Sequence, residues 1–300
     1  MLAASLVGRF KNINGNYRGR VAGFKKPAAY ANWLLSNYEM WRRTTTIKAK
    51  PLKLTVDLTN SCQLRCPLCP TGLQAHDRDA TLYSLEQFTK LMEDVGDYVF
   101  FIDFYNWGEP LNNKNFDKYV EVAKRYNVST EISSNFSFKL SDDRIRRLVE
   151  SGLNEIIVSM DGTTKETYEQ YRRKGQIDLV QDNIRRFIKL RTELGRTSPV
   201  ITWRYLVFGF NEHEIEDANV MSKDLGVDKI MFFPAFLDED NYFPTTDADK
   251  ITIVDTWVPT DPEYKMYDVS KTGKLISHHD KAPFLKRCDW HYMSAAINAD

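Results

Sequence analysis

No apolar run in this 300-residue chain is long enough to span a bilayer. The most apolar stretch, Tyr98 to Trp107, is short and broken by Asp103. The opening residues, Met1 to Val7, lack the charged front and small-residue cleavage site of a signal peptide. A cytoplasmic protein is therefore expected, with no membrane partner. An excess of one charge is missing too: Lys plus Arg and Asp plus Glu number 41 each. A net charge of zero gives no reason to expect a nucleic acid or an acidic partner. Cysteine is scarce, at four residues, and three of them fall within Cys62 to Cys69. A disulfide framework would spread its cysteines, so the cluster suggests a metal instead. What remains is ordinary: 42% hydrophobic residues, enough for one large or two modest domains with a core.

Residues 1–50 read as an amino-terminal extension. Within it, Tyr30, Trp33, Leu34, Tyr38 and Trp41 recur at spacings of three and four. They predict a helix over 28–43 with an aromatic stripe facing the main domain. A membrane-surface or partner-binding helix is the alternative. From residue 51 to 236 the chain alternates. Strands are predicted over 52–58, 98–105, 129–133, 155–160, 200–207 and 229–233. Helices are predicted over 84–95, 116–126, 142–151, 164–171, 179–194 and 212–225. Ser84 and Gln87 have capping-box spacing. The run 98–105 reads as a strand buried on both faces. Strict alternation implies an α/β fold of parallel strands with right-handed crossovers. Six units are too few for a complete eight-unit barrel. A partial (β/α)6 barrel fits, as does a doubly wound sheet, and both place their sites at the carboxyl ends of the strands. Residues 237–287 read as a linker without clear periodicity, followed by a short segment, 288–300, that ends in a predicted strand, 293–297. The sequence is expected to be a fragment.

The segment Cys62-Gln-Leu-Arg-Cys66-Pro-Leu-Cys69 follows the first predicted strand directly. Its three thiolates lie one short of the four that hold an all-protein four-iron cluster. Three would leave one iron open, as a catalytic zinc keeps one open position. An open iron can bind a molecule through an amine and a carboxylate. The competing reading is a zinc site completed by Cys288 or a histidine. Zinc, however, usually takes paired knuckles of other spacing.

On these residues the sequence resembles the radical S-adenosylmethionine (SAM) superfamily, whose hallmark is this Cys-x3-Cys-x2-Cys loop. Four further elements carry the resemblance across residues 50–236. Trp107-Gly108-Glu109-Pro110 resembles the family's Gly-Gly-Glu-Pro element, which contacts the SAM amino group. Gly108 would admit close backbone approach, and Glu109 or the local carbonyls would accept from the ammonium. Ser133-Ser134-Asn135 resembles the element near the ribose, with Phe136 in place of the usual glycine. Ser159-Met160-Asp161-Gly162 resembles the Ser-Leu-Asp-Gly element, and Tyr171-Arg172 follows at the family's spacing. The resemblance implies that Ser159 and Arg172 hold the SAM carboxylate, a role that suits an arginine fork. Leu68 stands where many members place an aromatic against adenine. Residues 231–234 would help line the adenine pocket or form a plain buried strand.

The resemblance implies a 4Fe-4S cluster on Cys62, Cys66 and Cys69, with SAM bound above it. Reductive cleavage of SAM would then give a 5'-deoxyadenosyl radical. That radical would abstract hydrogen from a peptide, a protein side chain or a sugar-like small molecule. An electron donor such as flavodoxin or ferredoxin is implied as a partner. From Cys288 the sequence resembles the start of a SPASM domain, so Cys288 is a candidate ligand of an auxiliary iron–sulfur cluster in the full-length protein. Two other functional classes stay open: a non-catalytic iron–sulfur scaffold or electron carrier, and a zinc-stabilised binding module. Three structural expectations follow. The three cysteine sulfurs meet at one point. Glu109, Asn135, Ser159 and Arg172 line one cavity. Residues 288–300 are poorly anchored for want of a strand partner. His76, Asp77, Tyr105, Trp203 and Tyr205 are weaker candidates for the barrel mouth, each better explained as loop or core.

Overall fold

The computed structural model describes residues 26–74, 79–235, 256–269, 275–277 and 290–299. His76, Asp77 and Cys288 lie outside the described residues, as does most of the amino-terminal extension before Lys26.

Six parallel strands form in the predicted order: β1 (Lys53–Val56), β2 (Phe101–Asp103), β3 (Ser129–Ser134), β4 (Glu155–Ser159), β5 (Val200–Val207) and β6 (Lys229–Pro234). Neighbours in sequence are neighbours in the sheet, with parallel register throughout. The helices between them are α3 (Leu85–Val95), α4 (Phe116–Arg125), α5 (Asp142–Glu150), α6 (Lys165–Tyr171), α7 (Ile177–Glu193) and α8 (Ile215–Leu225). Two further helices precede this series in the chain: α1 (Pro27–Arg42) and the single turn α2 (Pro70–Leu73). Local chemistry sets several boundaries. Gln87 N–H donates to Ser84 Oγ at 3.1 Å, while Ser84 N–H donates to Gln87 Oε1 at 2.9 Å, a complete capping box. Gly226 ends α8 in the left-handed region at φ 73°.

Side chains alternate across each strand. Ile132, Ile156, Val158, Ile201, Trp203, Tyr205 and Val207 point to the helices and pack with Phe88, Leu148, Ile184 and Phe187 in the main core. The opposite face is polar. Tyr105 donates to Glu131 Oε1 at 2.9 Å, Thr202 donates to Glu155 at 2.6 Å, and Lys53 pairs with Asp103. The strand read as buried on both faces is so, with Phe101, Ile102, Asp103 and Phe104 all buried, and Asp103 and Tyr105 make its site-bearing face partly polar.

Two expectations are corrected. α1 forms where its periodicity placed it, but it is turned over. Its aromatic stripe is exposed, with Tyr30 at 42% and Trp41 at 58%, and the buried residues are Ala29, Asn32, Ser36, Glu39 and Met40. Polar bonds hold that inner face. Glu39 accepts from the Lys48 and Ala49 amides at 2.8 and 3.1 Å, Asn32 exchanges two bonds with Lys50, and Ser36 donates to the Tyr292 carbonyl at 2.6 Å. The end of the chain is anchored as well. A turn of helix, α9 (Trp290–Met293), leads into β9 (Ser294–Ile297), which pairs in parallel with β1 as a seventh strand. Part of the stretch read as linker is packed: Trp257, Val258 and Tyr267 are buried beside Leu64 and Cys66. Nearby, β7 (Tyr267–Val269) and β8 (Leu275–Ser277) form a small antiparallel pair. Among the described residues no helix is long and apolar enough to cross a membrane.

Candidate active site

The loop that leaves β1 carries Cys62, Cys66 and Cys69, all free thiols. Two backbone bonds staple it to its neighbours. Glu109 N–H donates to the Ser61 carbonyl at 2.9 Å, and Arg65 N–H donates to the Arg173 carbonyl at 3.0 Å. Cys69 N–H then turns back onto the Cys66 carbonyl, and Cys69 precedes α2 directly. Gly72 in that turn rests on the Cys66 backbone, where an added Cβ would lie 2.4 Å from the carbonyl oxygen. Gly72 escaped the sequence analysis, because nothing in the sequence marks which backbone it touches.

The thiols interact with one another electrostatically. Burial, with Glu109 and the other two cysteines adding to it, pushes the Cys62 thiol up to about 12. Burial likewise pushes Cys66 up to about 11, against the pull of the Arg172 guanidinium. Two thiols so raised do not ionise side by side without a cation near them, and an iron–sulfur cluster on the three cysteines would supply that charge. The donor set therefore fits the group. Among the described residues no three His, Cys, Asp or Glu side chains are gathered as a single metal ion requires.

Two predicted residues reach the sulfurs. Asn135 Nδ2 lies 3.7 Å from Cys62 Sγ, and its Oδ1 accepts from Gln63 at 2.8 Å. Arg172 Nη1 lies 3.9 Å from Cys66 Sγ, while its Nε donates to Asp161 Oδ2 at 2.5 Å. Burial opposes the Arg172 charge, but Asp161 and Cys66 beside it hold the guanidinium well above its usual value. Asp161 also accepts from the Leu206 amide at 2.8 Å.

Glu109 is only 2% exposed and is spent on the protein. Its carboxylate accepts from Ser134 Oγ at 2.8 Å and from the amides of Asn135 and Leu111 at 2.9 and 3.1 Å. Burial raises it to about 7 despite these bonds. Its side chain thus clamps the loop after β2 to the loop after β3, and an ammonium would meet the local carbonyls instead. Gly108 is needed for protein contact as well: an added Cβ would fall 1.7 Å from the Thr59 carbonyl oxygen. Pro110 is buried and opens a short 3-10 turn. Phe136 lies in the left-handed region that favours glycine, at φ 50°, with its ring stacked on Phe187.

A cleft of about 220 Å³ opens on the cysteine loop, lined by Asp57, Ser61, Cys62, Arg65 and the half-exposed Trp107 among others. The Trp107 amide donates to the Asp57 carboxylate at 3.1 Å. Asp57 was missed in the sequence for want of any motif around it. Leu68 packs with Cys62, Cys69 and Tyr171 on the other flank. Ser159 lies on the open face bonded to Arg204, another residue that sequence reasoning passed over. The signal was there: one charge in the otherwise uncharged strand β5, between Trp203 and Tyr205, which are themselves fully buried against the helices.

A cysteine triple on the first βα loop, buttressed by the loops after β2, β3 and β4, defines the radical SAM class. Residues 56–219 match the Radical SAM superfamily, and the chain belongs to it. Members of that superfamily use a 4Fe-4S cluster and SAM. Among particular relatives, the chain is 26% identical over 176 residues to the GTP 3',8-cyclase of Desulforamulus reducens, covering 58% of this chain and 52% of the relative. It is 25% identical over 120 residues to the PqqA peptide cyclase of Gluconobacter oxydans, covering 40% of this chain and 33% of the relative. The chain thus spans about half, or less, of the length of these curated relatives. The fold is similar to that of SuiB from Streptococcus suis bound to precursor peptide SuiA, with a TM-score of 0.59 at 13% identity, covering 88% of this chain and 60% of that one.

Proposed function

We propose that this chain is the cluster-bearing barrel of a radical SAM enzyme that abstracts hydrogen from a peptide, a protein side chain or a sugar-like small molecule. When bound, the reduced cluster supplies an electron that breaks a carbon–sulfur bond of SAM and yields a 5'-deoxyadenosyl radical. The observation that carries the reading is the cysteine loop. Its three thiols, that of Cys66 buried and the other two partly so, stand at the carboxyl ends of parallel strands, with Asn135 at one sulfur and Arg172 at another. The chain's own residues hold and shield the reactants. Glu109 and Asp161 fix the flanking loops, Leu68 and Tyr171 keep one side of the cysteines apolar, and Ser159 offers a hydroxyl on the open face. A peptide substrate is favoured by the likeness to a peptide cyclase and to a peptide-bound fold relative. An electron donor such as flavodoxin or ferredoxin, a cytoplasmic setting and an auxiliary cluster on Cys288 in the full-length protein belong to the same reading.

Anaerobic reconstitution with iron, sulfide, SAM and a reductant tests it. About four irons per chain and 5'-deoxyadenosine are expected. Cys66→Ala should abolish both, because two thiolates do not hold a cubane with an open iron. Cleavage retained by Cys66→Ala overturns the assignment. Bound cluster without any SAM cleavage favours the scaffold reading instead.

A further inference from the structure

The balance of 41 basic and 41 acidic residues is unevenly spread. Residues 1–50 hold ten of the Lys and Arg residues and a single acid, Glu39, which is buried. Asymmetry of this kind suits an anionic partner at the basic end. Arg42 and Arg43 are exposed at the carboxyl end of α1. Lys48 and Lys50 are exposed on the segment that returns along the helix, its amides bonded first to Glu39 and then to Asn32. Lys26 is not among these exposed cations, because it is buried and donates to the Gly96 and Val99 carbonyls, with Asp97 interacting with its charge. Beside the cations, Tyr30, Ala31, Leu34, Leu35, Tyr38 and Trp41 make one exposed apolar face along α1, with Leu34 at 50% and Tyr38 at 56%. The opposite face is fixed to the protein: Ser36 donates to the Tyr292 carbonyl, and the Tyr292 hydroxyl donates to the Thr44 carbonyl at 3.0 Å. The anchors Tyr292, Lys50 and Val99 lie just before β9, β1 and β2. α1 therefore lies at the amino ends of those strands, away from the cysteine loop.

We propose that α1 docks this protein onto an anionic lipid surface, with Leu34, Leu35, Tyr38 and Trp41 entering the headgroup layer and Arg42, Arg43, Lys48 and Lys50 meeting lipid phosphates. Trp and Tyr suit that boundary, because each carries an apolar ring and a polar tip. A helix that is apolar on one face and polar on the other lies on a bilayer rather than across it. A nucleic acid would answer the cations but offers no apolar layer for the leucines. A second copy of the chain is disfavoured on two grounds. One face of a 16-residue helix, about 24 Å long, offers roughly 240 Å² against the ~800 Å² per partner of a stable interface. The flanking cations of two copies would also face each other. Docking through α1 leaves the carboxyl ends of the strands turned away from the lipid, with the cysteine loop open to a soluble substrate. The inference rests on exposure and charge and does not depend on the radical SAM reading.

Flotation with lipid vesicles tests it on the natural protein. Binding is expected to vesicles of equal parts phosphatidylcholine and phosphatidylglycerol, weaker as salt rises, and not to phosphatidylcholine alone. Tyr38→Ser combined with Trp41→Ser should lower the affinity tenfold or more. Arg42→Gln combined with Arg43→Gln should lower it about fivefold for each arginine removed and flatten the salt dependence. Circular dichroism checks that each variant is folded. Should the aromatic pair fail to fold, Leu34→Gln takes its place and should weaken binding several-fold. Failure of the natural protein to bind the mixed vesicles overturns the proposal, as does binding that ignores lipid charge or is unchanged in the folded variants. Sedimentation of the protein without lipid decides the second copy: a dimer that Tyr38→Ser with Trp41→Ser dissolves would assign the face to self-association and overturn the lipid reading. Salt-sensitive binding to a nucleic acid, with none to the vesicles, would overturn it likewise.

Discussion

Glu109 and Asp161 flank the cysteine loop from opposite sides, both buried, and they are stabilised in different ways. Asp161 faces a guanidinium, that of Arg172, and one amide. Glu109 takes its three bonds from a hydroxyl and two amides, with no cation in hydrogen-bond contact. The comparison teaches that one loop is tied by an ion pair and the other by dipoles. A carboxylate held by dipoles alone titrates near neutrality once buried, as the value of about 7 for Glu109 reflects.

Breaking the ion pair should have the largest effect. Arg172→Ala leaves Asp161 buried without its cation and should cost about 3–5 kcal/mol. Urea unfolding measures it, and adding Asp161→Asn should return a large part of the loss. A cost below about 1 kcal/mol in Arg172→Ala would show that the pair does not hold the loop.

The dipole-held side should show itself through pH. A carboxyl raised in the folded state binds its proton more tightly there than in the unfolded chain. Its contribution is therefore full below the unfolded value of 4.5 and is lost as pH rises to about 7. The loss is on the order of 3 kcal/mol. Stability differences between the natural protein and Glu109→Gln, measured at pH 5 and pH 8, should change by that order in favour of the variant. A difference independent of pH would mean that Glu109 is ionised throughout.

The smallest effects should come from the glycines beside each carboxylate. Gly108→Ala drives a Cβ to 1.7 Å from the Thr59 carbonyl oxygen, whereas Gly162→Ala meets the Tyr168 nitrogen at 2.5 Å. Overpacking of this kind costs about 1–3 kcal/mol, and Gly108 should lie at the upper end. Thermal melting of the two variants ranks them, and a larger loss at Gly162 would reverse the order argued from these distances.

Much of the barrel was legible because its signals are local. The β5 boundaries, the Ser84–Gln87 box and the stop at Gly226 each depend on a few adjacent residues. The same holds for the cysteine spacing, which places the site before any packing is known. What stayed hidden depends on distant partners. Periodicity gives α1 two faces but not which one turns inward, and Glu39 and Asn32 made the polar face the buried one. Asp103 looked like a flaw in an apolar strand until Lys53 stood beside it. Glu109 and Gly108 were read as ligand contacts, since their partners Ser134 and Thr59 lie on other loops.

The pairing of β9 with β1 bears on how the protein is made. β1 carries the cysteine loop, and its outer neighbour begins at Ser294, about 240 residues after Lys53. At about 5–20 residues per second, a ribosome needs roughly 12–48 seconds to cover that distance. Throughout that interval the strand that leads into Cys62 is flanked on one side only, by β2. The cysteine loop therefore gains its outer flanking strand only once Ser294–Ile297 has been made, and loading of the cluster onto the seven-stranded sheet comes no earlier than that.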